Sequence, residues 1–140
     1  MKARKFLIGL ILCSFAFIGA STATAQTMRG KASYYAGKFH GRRTSSGEIF
    51  HKDSMTCAHR TLPFGTMLRV RNVSNGREVV VRVTDRGPFA AGRIVDLSLG
   101  AARQLGMVAA GVTGVEVEVI SKPGQAGGNS RQTGTAGSRN

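Results

Sequence analysis

The sequence predicts a small, mainly β barrel with one short helix. Along several short segments, apolar residues alternate with polar ones, as they do in strands that bury one face, and turn-forming residues separate these segments. One further segment is bounded by residues that typically begin and end a helix. Many short strands combined with a single helix are typical of a small barrel.

Each predicted element has its own local signal. Asn75-Gly76 tolerates the positive φ of a tight turn, so the strands on either side of it are expected to pair as an antiparallel hairpin. Ser98 can cap a helix over 99–105, and Gly106 can end it. Six strands are predicted, over residues 31–35, 55–59, 66–73, 77–84 and 94–97 and around Val115, Val117 and Val119.

The first 25 residues are typical of a secretory signal. Three basic residues precede an apolar run over 6–20, and Ala23-Thr24-Ala25 supplies the small residues that a signal peptidase reads. We expect cleavage before Gln26 and an exported protein, periplasmic or secreted, without an integral membrane span. Cys13 suggests an outer-membrane lipid anchor instead, but the bulky residue before it and the apolar run beyond it disfavour lipidation.

Charge and composition limit what the remaining chain can bind. The formal net charge is +13, and removing the three basic residues of the signal lowers it to +10. An exported protein this basic is expected to bind anionic wall polymers, glycans or lipid headgroups rather than nucleic acid. Cys57 is then the only thiol, so no intramolecular disulfide forms. We expect one domain over 26–120, a disordered Gly-rich tail over 121–140, and a monomer.

Asp85 is the first candidate for a catalytic side chain. Val79, Val81 and Val83 share one strand face by the period of two, and Asp85 falls next on that face. Partial burial there would raise the pKa of its carboxyl group, as suits a general acid. The alternative is structural, because Asp85-Arg86-Gly87-Pro88 is also an ordinary turn sequence.

Two further polar residues stand out. Glu48 ends a loop over 40–48 that is rich in Gly and small hydroxyl residues, where an exposed carboxylate without a catalytic role is the simpler interpretation.

His59 and Cys57 would share one face of a strand. A thiol nucleophile is therefore conceivable, but the sequence pattern shows no third group to orient the histidine. A metal set is disfavoured because the spacing of its members matches no zinc motif. Its members would be Cys57, His59, His40 and His51.

Nine motifs taken together resemble the rare lipoprotein A (RlpA) family. They occur in the family's order and cover essentially all of residues 30–120. The motifs are Gly30-Lys31-Ala32-Ser33-Tyr34-Tyr35, Phe39-His40-Gly41-Arg42, Thr44-Ser45-Ser46-Gly47-Glu48, Thr56-Cys57-Ala58-His59-Arg60-Thr61-Leu62-Pro63, Val70-Arg71-Asn72, Asn75-Gly76-Arg77, Val81-Arg82-Val83-Thr84-Asp85-Arg86-Gly87-Pro88-Phe89, Arg93-Ile94-Val95-Asp96-Leu97-Ser98 and Ala101-Ala102.

The resemblance implies both a fold and an activity. The fold would be a six-stranded double-psi β-barrel like that of expansins, with one or two short helices. The activity would be that of an endolytic lytic transglycosylase, a lyase that cuts peptidoglycan strands stripped of stem peptides and leaves 1,6-anhydro ends. The family's site residues fall on Asp85 as the acid, Glu48 as a stabilising carboxylate and His59 as an orienting group. No metal or cofactor is expected.

The substrate contacts are expected to come from basic and aromatic residues near those positions. Arg42, Arg60 and Arg86 would meet the anionic lactyl groups of the glycan, with a solvated basic rim as the equally simple alternative. Tyr35 would stack on a sugar ring, although an aromatic residue of a small barrel more often belongs to its core. Arg93 and Asp96 are interpreted as a structural pair. We expect a departure from the fuller family architecture, with neither a C-terminal SPOR-type domain nor a lipidated cysteine.

Two other functions remain open at this stage. An expansin-like module would bind and loosen polysaccharides without cutting them. A basic protein that sequesters acidic polymers would need its arginines but neither Asp85 nor Glu48.

Overall fold

The computed structural model describes residues 26–124, which form a closed six-stranded barrel with one α-helix and one short 3-10 helix. The predicted architecture is confirmed. The predicted signal segment and the tail beyond residue 124 lie outside the described residues. The strands are β1 (Thr27–Tyr34), β2 (Thr56–Ala58), β3 (Met67–Asn72), β4 (Glu78–Asp85), β5 (Arg93–Leu97) and β6 (Thr113–Ser121), and the helices are the 3-10 turn Gly37–Phe39 and α1 (Leu99–Leu105).

The strand order around the barrel brings together segments that are distant in sequence. It runs β1, β5, β2, β4, β3, β6, and β6 closes on β1. The pairs β1–β5 and β2–β4 are parallel, and the other four pairs are antiparallel. The short strand β2 lies between β4 and β5, so Ala58 at its end lies between Asp85 of β4 and Asp96 of β5.

The β3–β4 hairpin forms as the sequence predicts. Gly76 has a φ of +74°, which the turn needs, and Val70 of β3 pairs with Val79 of β4. Along β4, Val79, Val81 and Val83 are buried, whereas Val80 between them is 40% exposed. The period of two therefore places one face of β4 in the core.

Helix α1 has the predicted bounds. The Ser98 side chain accepts a hydrogen bond from the backbone N–H of Ala101, and Gly106 ends the helix at a φ of +69°. Its buried face, Ala101, Ala102 and Leu105, packs into the core of the barrel.

The boundaries of β1 and β2 differ from the prediction. β1 starts at Thr27, because its first half pairs with β6 in the register Thr27 to Glu118. The polar residues at the start of β1 show no alternation that would predict this long-range contact. β2 is shortened to Thr56–Ala58. No helix within residues 26–124 is long and apolar enough to cross a membrane.

Candidate active site

Asp85 lies at the end of β4, beside Ala58 of β2. The β2–β4 register shifts at this point, because Cys57 pairs with Val83 whereas the next residue, Ala58, pairs with Asp85. Thr84 is thus an extra residue in β4, and such a bulge interrupts the alternation of side chains. Asp85 therefore does not continue the inward row of Val83 as the sequence predicted, and it is only partly buried.

Four hydrogen-bond donors hold the Asp85 carboxylate. Oδ1 accepts from the backbone N–H of Ser45 at 3.0 Å, from Ser45 Oγ at 2.7 Å and from the backbone N–H of Arg86 at 2.8 Å. Oδ2 accepts from the hydroxyl of Tyr35 at 3.0 Å. These contacts fix the orientation of the carboxylate and satisfy much of its hydrogen-bonding capacity.

The donors also decide the charge of Asp85. Burial raises the pKa of this carboxyl group, but the hydrogen bonds from Ser45, Arg86 and Tyr35 favour the charged form more strongly, and the pKa is lowered below its ordinary value. The prediction of a raised pKa is therefore wrong. Burial alone favours the neutral form, but a distant loop supplies the Ser45 donors that favour the charged form.

Tyr35 remains a donor throughout the neutral range. Burial and the charge of Asp85 both raise the pKa of its hydroxyl. Its ring makes edge contacts with Phe39 and Phe50, at centroid distances of 5.5 and 5.2 Å. Tyr35 is thus held between an aromatic cluster and the carboxylate.

An open cavity of about 220 Å³ lies in front of Asp85. Two arginines, Arg42 and Arg43, line it together with aromatic side chains, and Arg43 Nη1 donates to Gly47 O at 2.7 Å. A cavity of this composition can accept an anionic ligand with apolar faces. Its lining residues are Tyr35, Phe39, Arg42, Arg43, Thr44, Phe50 and Asp85.

The loop that carries Glu48 is fastened to the end of β4. Its base is closed by the backbone hydrogen bond from Phe50 N–H to Arg42 O at 2.7 Å, and Ser46 N–H donates to Thr84 O at 3.2 Å. This docking delivers Ser45 to Asp85. The local sequence fits, because Gly47, at a φ of +91°, permits the tight reversal.

Glu48 does not line the cavity of Asp85. Arg82 donates to both of its oxygens, at 2.8 and 2.9 Å, and these hydrogen bonds lower the pKa of Glu48. The side chain is 47% exposed and lines a separate cavity of about 90 Å³. Only Phe50 is common to the two cavities.

His59 is buried and contacts Asp85 through the backbone, but it does not line the cavity of Asp85. Its backbone N–H donates to Asp85 O at 3.1 Å. Its ring Nδ1 accepts from the backbone N–H groups of Thr61 and Leu62 at 3.2 and 3.1 Å. Burial and the charges of Arg86 and Arg60 lower the pKa of His59. The ring is therefore neutral at pH 7, with its proton on Nε2.

The predicted arginines divide into two groups. Arg60 donates through Nε to Pro88 O and through Nη2 to the carbonyls of Ala90 and Arg93, at 2.8 and 3.2 Å. Arg86 donates to the carbonyls of His59 and Leu62. Both guanidinium groups thus brace loops.

Arg42 keeps its guanidinium carbon 5.6 Å from the centre of the Phe39 ring, at the wall of the cavity. It is the predicted substrate-binding arginine that lies nearest to the space in front of Asp85.

The set of residues considered for a metal does not assemble. Cys57 lies in the core, where burial raises the pKa of its thiol, and His40 and His51 contact each other with ring centroids 4.8 Å apart. Within residues 26–124, no three His, Cys, Asp or Glu side chains are grouped to hold a metal ion.

A family model described as lytic transglycolase matches residues 27–117, which include every strand start and all of the site described above. This chain belongs to the lytic transglycolase family. A relative from Synechocystis sp. named "Probable endolytic peptidoglycan transglycosylase RlpA" is 50% identical over 101 residues, covering 71% of this chain and 32% of the relative. The Vibrio cholerae "Endolytic peptidoglycan transglycosylase RlpA" is 55% identical over 95 residues, covering 68% and 36%.

The chain thus spans about a third of the length of such family members. Among solved structures, an expansin of Clavibacter michiganensis is 27% identical with a TM-score of 0.57, over 73% of this chain and 53% of that one. The Streptomyces papain inhibitor is 26% identical with a TM-score of 0.56, over 69% and 96%. These neighbours have double-psi β-barrel folds, which confirms the predicted barrel type.

Two residues near the end of β4 carry no distinctive sequence pattern and were assigned no role. They are Ser45, whose donors reach Asp85, and Phe89, which is 82% exposed. Asp96 of β5 was predicted as a structural partner of Arg93, and its side chain accepts a hydrogen bond from Ser33 Oγ. Ser45 is a short polar residue, so only its long-range contact with Asp85 reveals it. The position of Phe89 next to Gly87-Pro88 was visible, but its exposure was not.

Proposed function

We propose that this chain cleaves the glycan strands of peptidoglycan as an endolytic lytic transglycosylase, acting on the bond between N-acetylmuramic acid and N-acetylglucosamine. One observation carries the proposal. This member of the lytic transglycolase family holds a charged, partly exposed carboxylate, that of Asp85, beside an open cavity that Arg42 and Arg43 also line. Such a substrate lies outside the cytoplasmic membrane, in agreement with the predicted export.

The charge of Asp85 suggests its role in the reaction. A carboxylate with a lowered pKa is ionised at neutral pH and is a base rather than an acid. Asp85 would accept the proton of the muramoyl C6 hydroxyl as that oxygen attacks C1, closing the 1,6-anhydro ring without water. Its negative charge would also stabilise the oxocarbenium-like transition state.

The neighbouring residues would then position the substrate. Arg42 and Arg43 suit the lactyl carboxylates, and Tyr35 keeps Asp85 in place through its hydroxyl. Glu48, paired with Arg82, would hold the 41–50 loop against β4, and buried His59 would support the end of the same strand.

Product analysis tests the proposed function. The purified chain is incubated with peptide-free glycan strands, and the products are examined by mass spectrometry. Anhydromuramoyl ends are expected. Reducing ends would instead identify a hydrolase. An unchanged chain length with retained binding would favour the expansin-like function, which the Clavibacter michiganensis structure makes the second candidate.

The activity is expected to depend on pH through Asp85. Because a base works in its charged form, the rate should fall as the pH drops through the lowered pKa of Asp85. Ser45→Ala removes one donor to Oδ1, so the pKa of Asp85 rises and the acidic limb of the kcat/KM profile moves to higher pH.

Ser46→Ala is the matched control for that profile. The Ser46 hydroxyl contacts Thr44 and Glu48 and not Asp85, so its removal should leave the acidic limb in place. An acidic limb that is the same in Ser45→Ala and the unmodified chain would contradict a base role for Asp85.

Phe89 is proposed as a stacking surface for one sugar of the strand. Its ring is 82% exposed, and Arg60 braces the carbonyls on both sides of it, so the ring is held out from the barrel. Ring atoms lie 3.7 and 3.9 Å from the position of a Cβ on Gly87, two residues after Asp85. The ring is thus adjacent to the proposed site.

Phe89→Ala should raise KM roughly fivefold, because an exposed ring that packs on a sugar contributes on the order of 1 kcal/mol. The turnover number kcat should change much less. Val73→Ala, another exposed apolar side chain on the β3–β4 turn, serves as the control and should leave KM unchanged. An unchanged KM in Phe89→Ala would exclude the stacking role.

A further inference from the structure

The first half of β1 has a free edge. Its pairing with β6 extends back to Thr27, whereas its register with β5 begins only at Lys31, opposite Arg93. Among the strands of residues 26–124, only β5 and β6 border β1. Residues 28–30 therefore have a neighbouring strand on one side and none on the other.

The direction of the backbone hydrogen bonds identifies the groups on this edge. Lys31 donates its N–H to Gly92 O at 3.0 Å, on the side of β5. Gln26 O accepts from Val119 N–H at 3.3 Å, on the side of β6. Because successive residues of a strand direct their backbone groups to opposite sides, Arg29 shares the side of Lys31. Its N–H and C=O thus lie on the free edge, where another extended chain can pair with them.

A cavity of about 430 Å³ lies along the same edge, and Arg29 lines it. Met28 and Ile94, which both pack against the core, give it aliphatic walls, and none of its lining residues is Asp, Glu, Phe or Tyr. Gly30 makes room for the Ile94 wall, because a Cβ at Gly30 would stand 2.7 Å from Ile94 Cγ2. The cavity is therefore aliphatic and without negative charge.

Two further arginines give this cavity positive charge. The side chain of Arg93 has no acceptor within residues 26–124, and its predicted pair with Asp96 does not form. Arg60 donates to backbone carbonyls only, so no carboxylate neutralises its charge. Both guanidinium groups are available to an anion.

His59 adds a hydrogen-bond donor from the interior. It is only 7% exposed, and its Nδ1 is occupied by two backbone N–H groups. The proton on Nε2 has no acceptor within the described residues, yet no side-chain nitrogen there is both enclosed and unpartnered. The Nε2–H is therefore open to solvent, and His59 lines this cavity.

These features select the chemistry of a ligand. Guanidinium groups and an N–H donor in a partly buried setting suit a carboxylate. The aliphatic walls suit an aliphatic body, whereas the aromatic rings that suit the face of a sugar line the cavity of Asp85 instead. A carboxylate on an aliphatic chain beside a free strand edge is the description of a peptide C-terminus.

We propose that the free edge of β1 and this cavity form a docking site for the C-terminus of an extended, aliphatic peptide, which adds to the barrel as a strand. The peptide backbone pairs with the N–H and C=O of Arg29. Its alternate side chains pack on Met28 and Ile94. Its terminal carboxylate accepts from Arg93 and His59.

The position of the carboxylate fixes the direction of the peptide. Arg93 lies beside Lys31, beyond the end of the free edge, and β5 runs parallel to β1 from there. A peptide whose last residue reaches Arg93 therefore runs parallel to β1 as well. The cavity shares no lining residue with that of Asp85, so this inference is independent of the proposed catalytic function.

Peptide binding is tested on the full chain by titration followed by NMR. The probe is a short N-acetylated peptide of alternating alanine and valine with a free C-terminal carboxylate, and its control is the same peptide ending in an amide. The amide form should bind roughly tenfold more weakly or worse, the scale of hydrogen bonds to a charged group. This comparison needs no variant, so it stands even where a substitution impairs folding.

Arg93→Gln should weaken the carboxylate peptide by a similar factor and leave the affinity of the amide peptide unchanged. Arg103→Gln is the matched control. It removes the same charge from α1, where the side chain pairs with Asp53 at 3.6 Å outside the cavity, and it should change neither affinity.

Amide hydrogen exchange tests strand addition directly. The N–H of Arg29 should exchange roughly tenfold more slowly in the presence of the carboxylate peptide, because the free edge becomes paired. The N–H of Met28, which faces β6, should change much less.

The outcomes separate this site from the proposed function, since none of the measurements requires turnover. Absent binding, or equal affinity for the two peptides, would overturn the carboxylate site. Bound peptide without slower exchange at Arg29 would overturn strand addition. Tighter binding of N-acetylmuramic acid than of the peptide in this cavity would assign it to the glycan instead.

Discussion

Asp85→Asn is expected to lower the formation of anhydromuramoyl ends on the order of a hundredfold or more, the scale of losing an acid or base. Asparagine can still accept from Ser45 and Arg86, so the end of β4 keeps its support. It lacks the negative charge and cannot take the proton of the C6 hydroxyl. The rate is measured by mass spectrometry of the products, and the fold by circular dichroism.

Glu48→Gln is the matched control, because it makes the same carboxylate-to-amide change on the neighbouring loop. The amide oxygen can still accept from Arg82, and the side chain is well exposed. Activity should therefore stay within about tenfold of the unmodified chain, since exposed ion pairs contribute little. Equal losses in both variants would show that Glu48 belongs to the reacting centre, and near-normal activity in Asp85→Asn would remove Asp85 from it.

The fold was largely predictable because its signals are local. Alternation in Val79, Val81 and Val83, the turn at Gly76 and the cap at Ser98 each depend on a few consecutive residues. The early start of β1 was missed because it depends on the pairing of Thr27 with Glu118 of β6, far along the chain. Local patterns do not report such pairings.

The site was less predictable for the same reason. The charge of Asp85 depends on Ser45, forty residues earlier, and on Tyr35, fifty residues earlier. The position of Asp85 depends on its pairing with Ala58 of β2 and on the extra residue, Thr84, in β4. Burial and alternation along one strand therefore gave the wrong direction for the pKa and the wrong face for the side chain.

Val81→Ala is expected to cause the largest loss of stability proposed here. Val81 is fully buried and pairs with Leu68 across the β3–β4 hairpin. Removing two buried methyl groups costs about 2 kcal/mol in the free energy of unfolding, because transfer free energy is lost and a cavity remains. For a domain of this size, the melting temperature should fall roughly 8–16 °C.

Val80→Ala provides the matched control one residue away. Val80 is 40% exposed and pairs with Arg69 on the outer face, so its truncation should change the free energy of unfolding by about 0.5 kcal/mol or less. Denaturant titration of both variants, at an unchanged slope, measures the difference. Equal losses in the two variants would mean that the inward and outward faces of β4 are wrongly assigned.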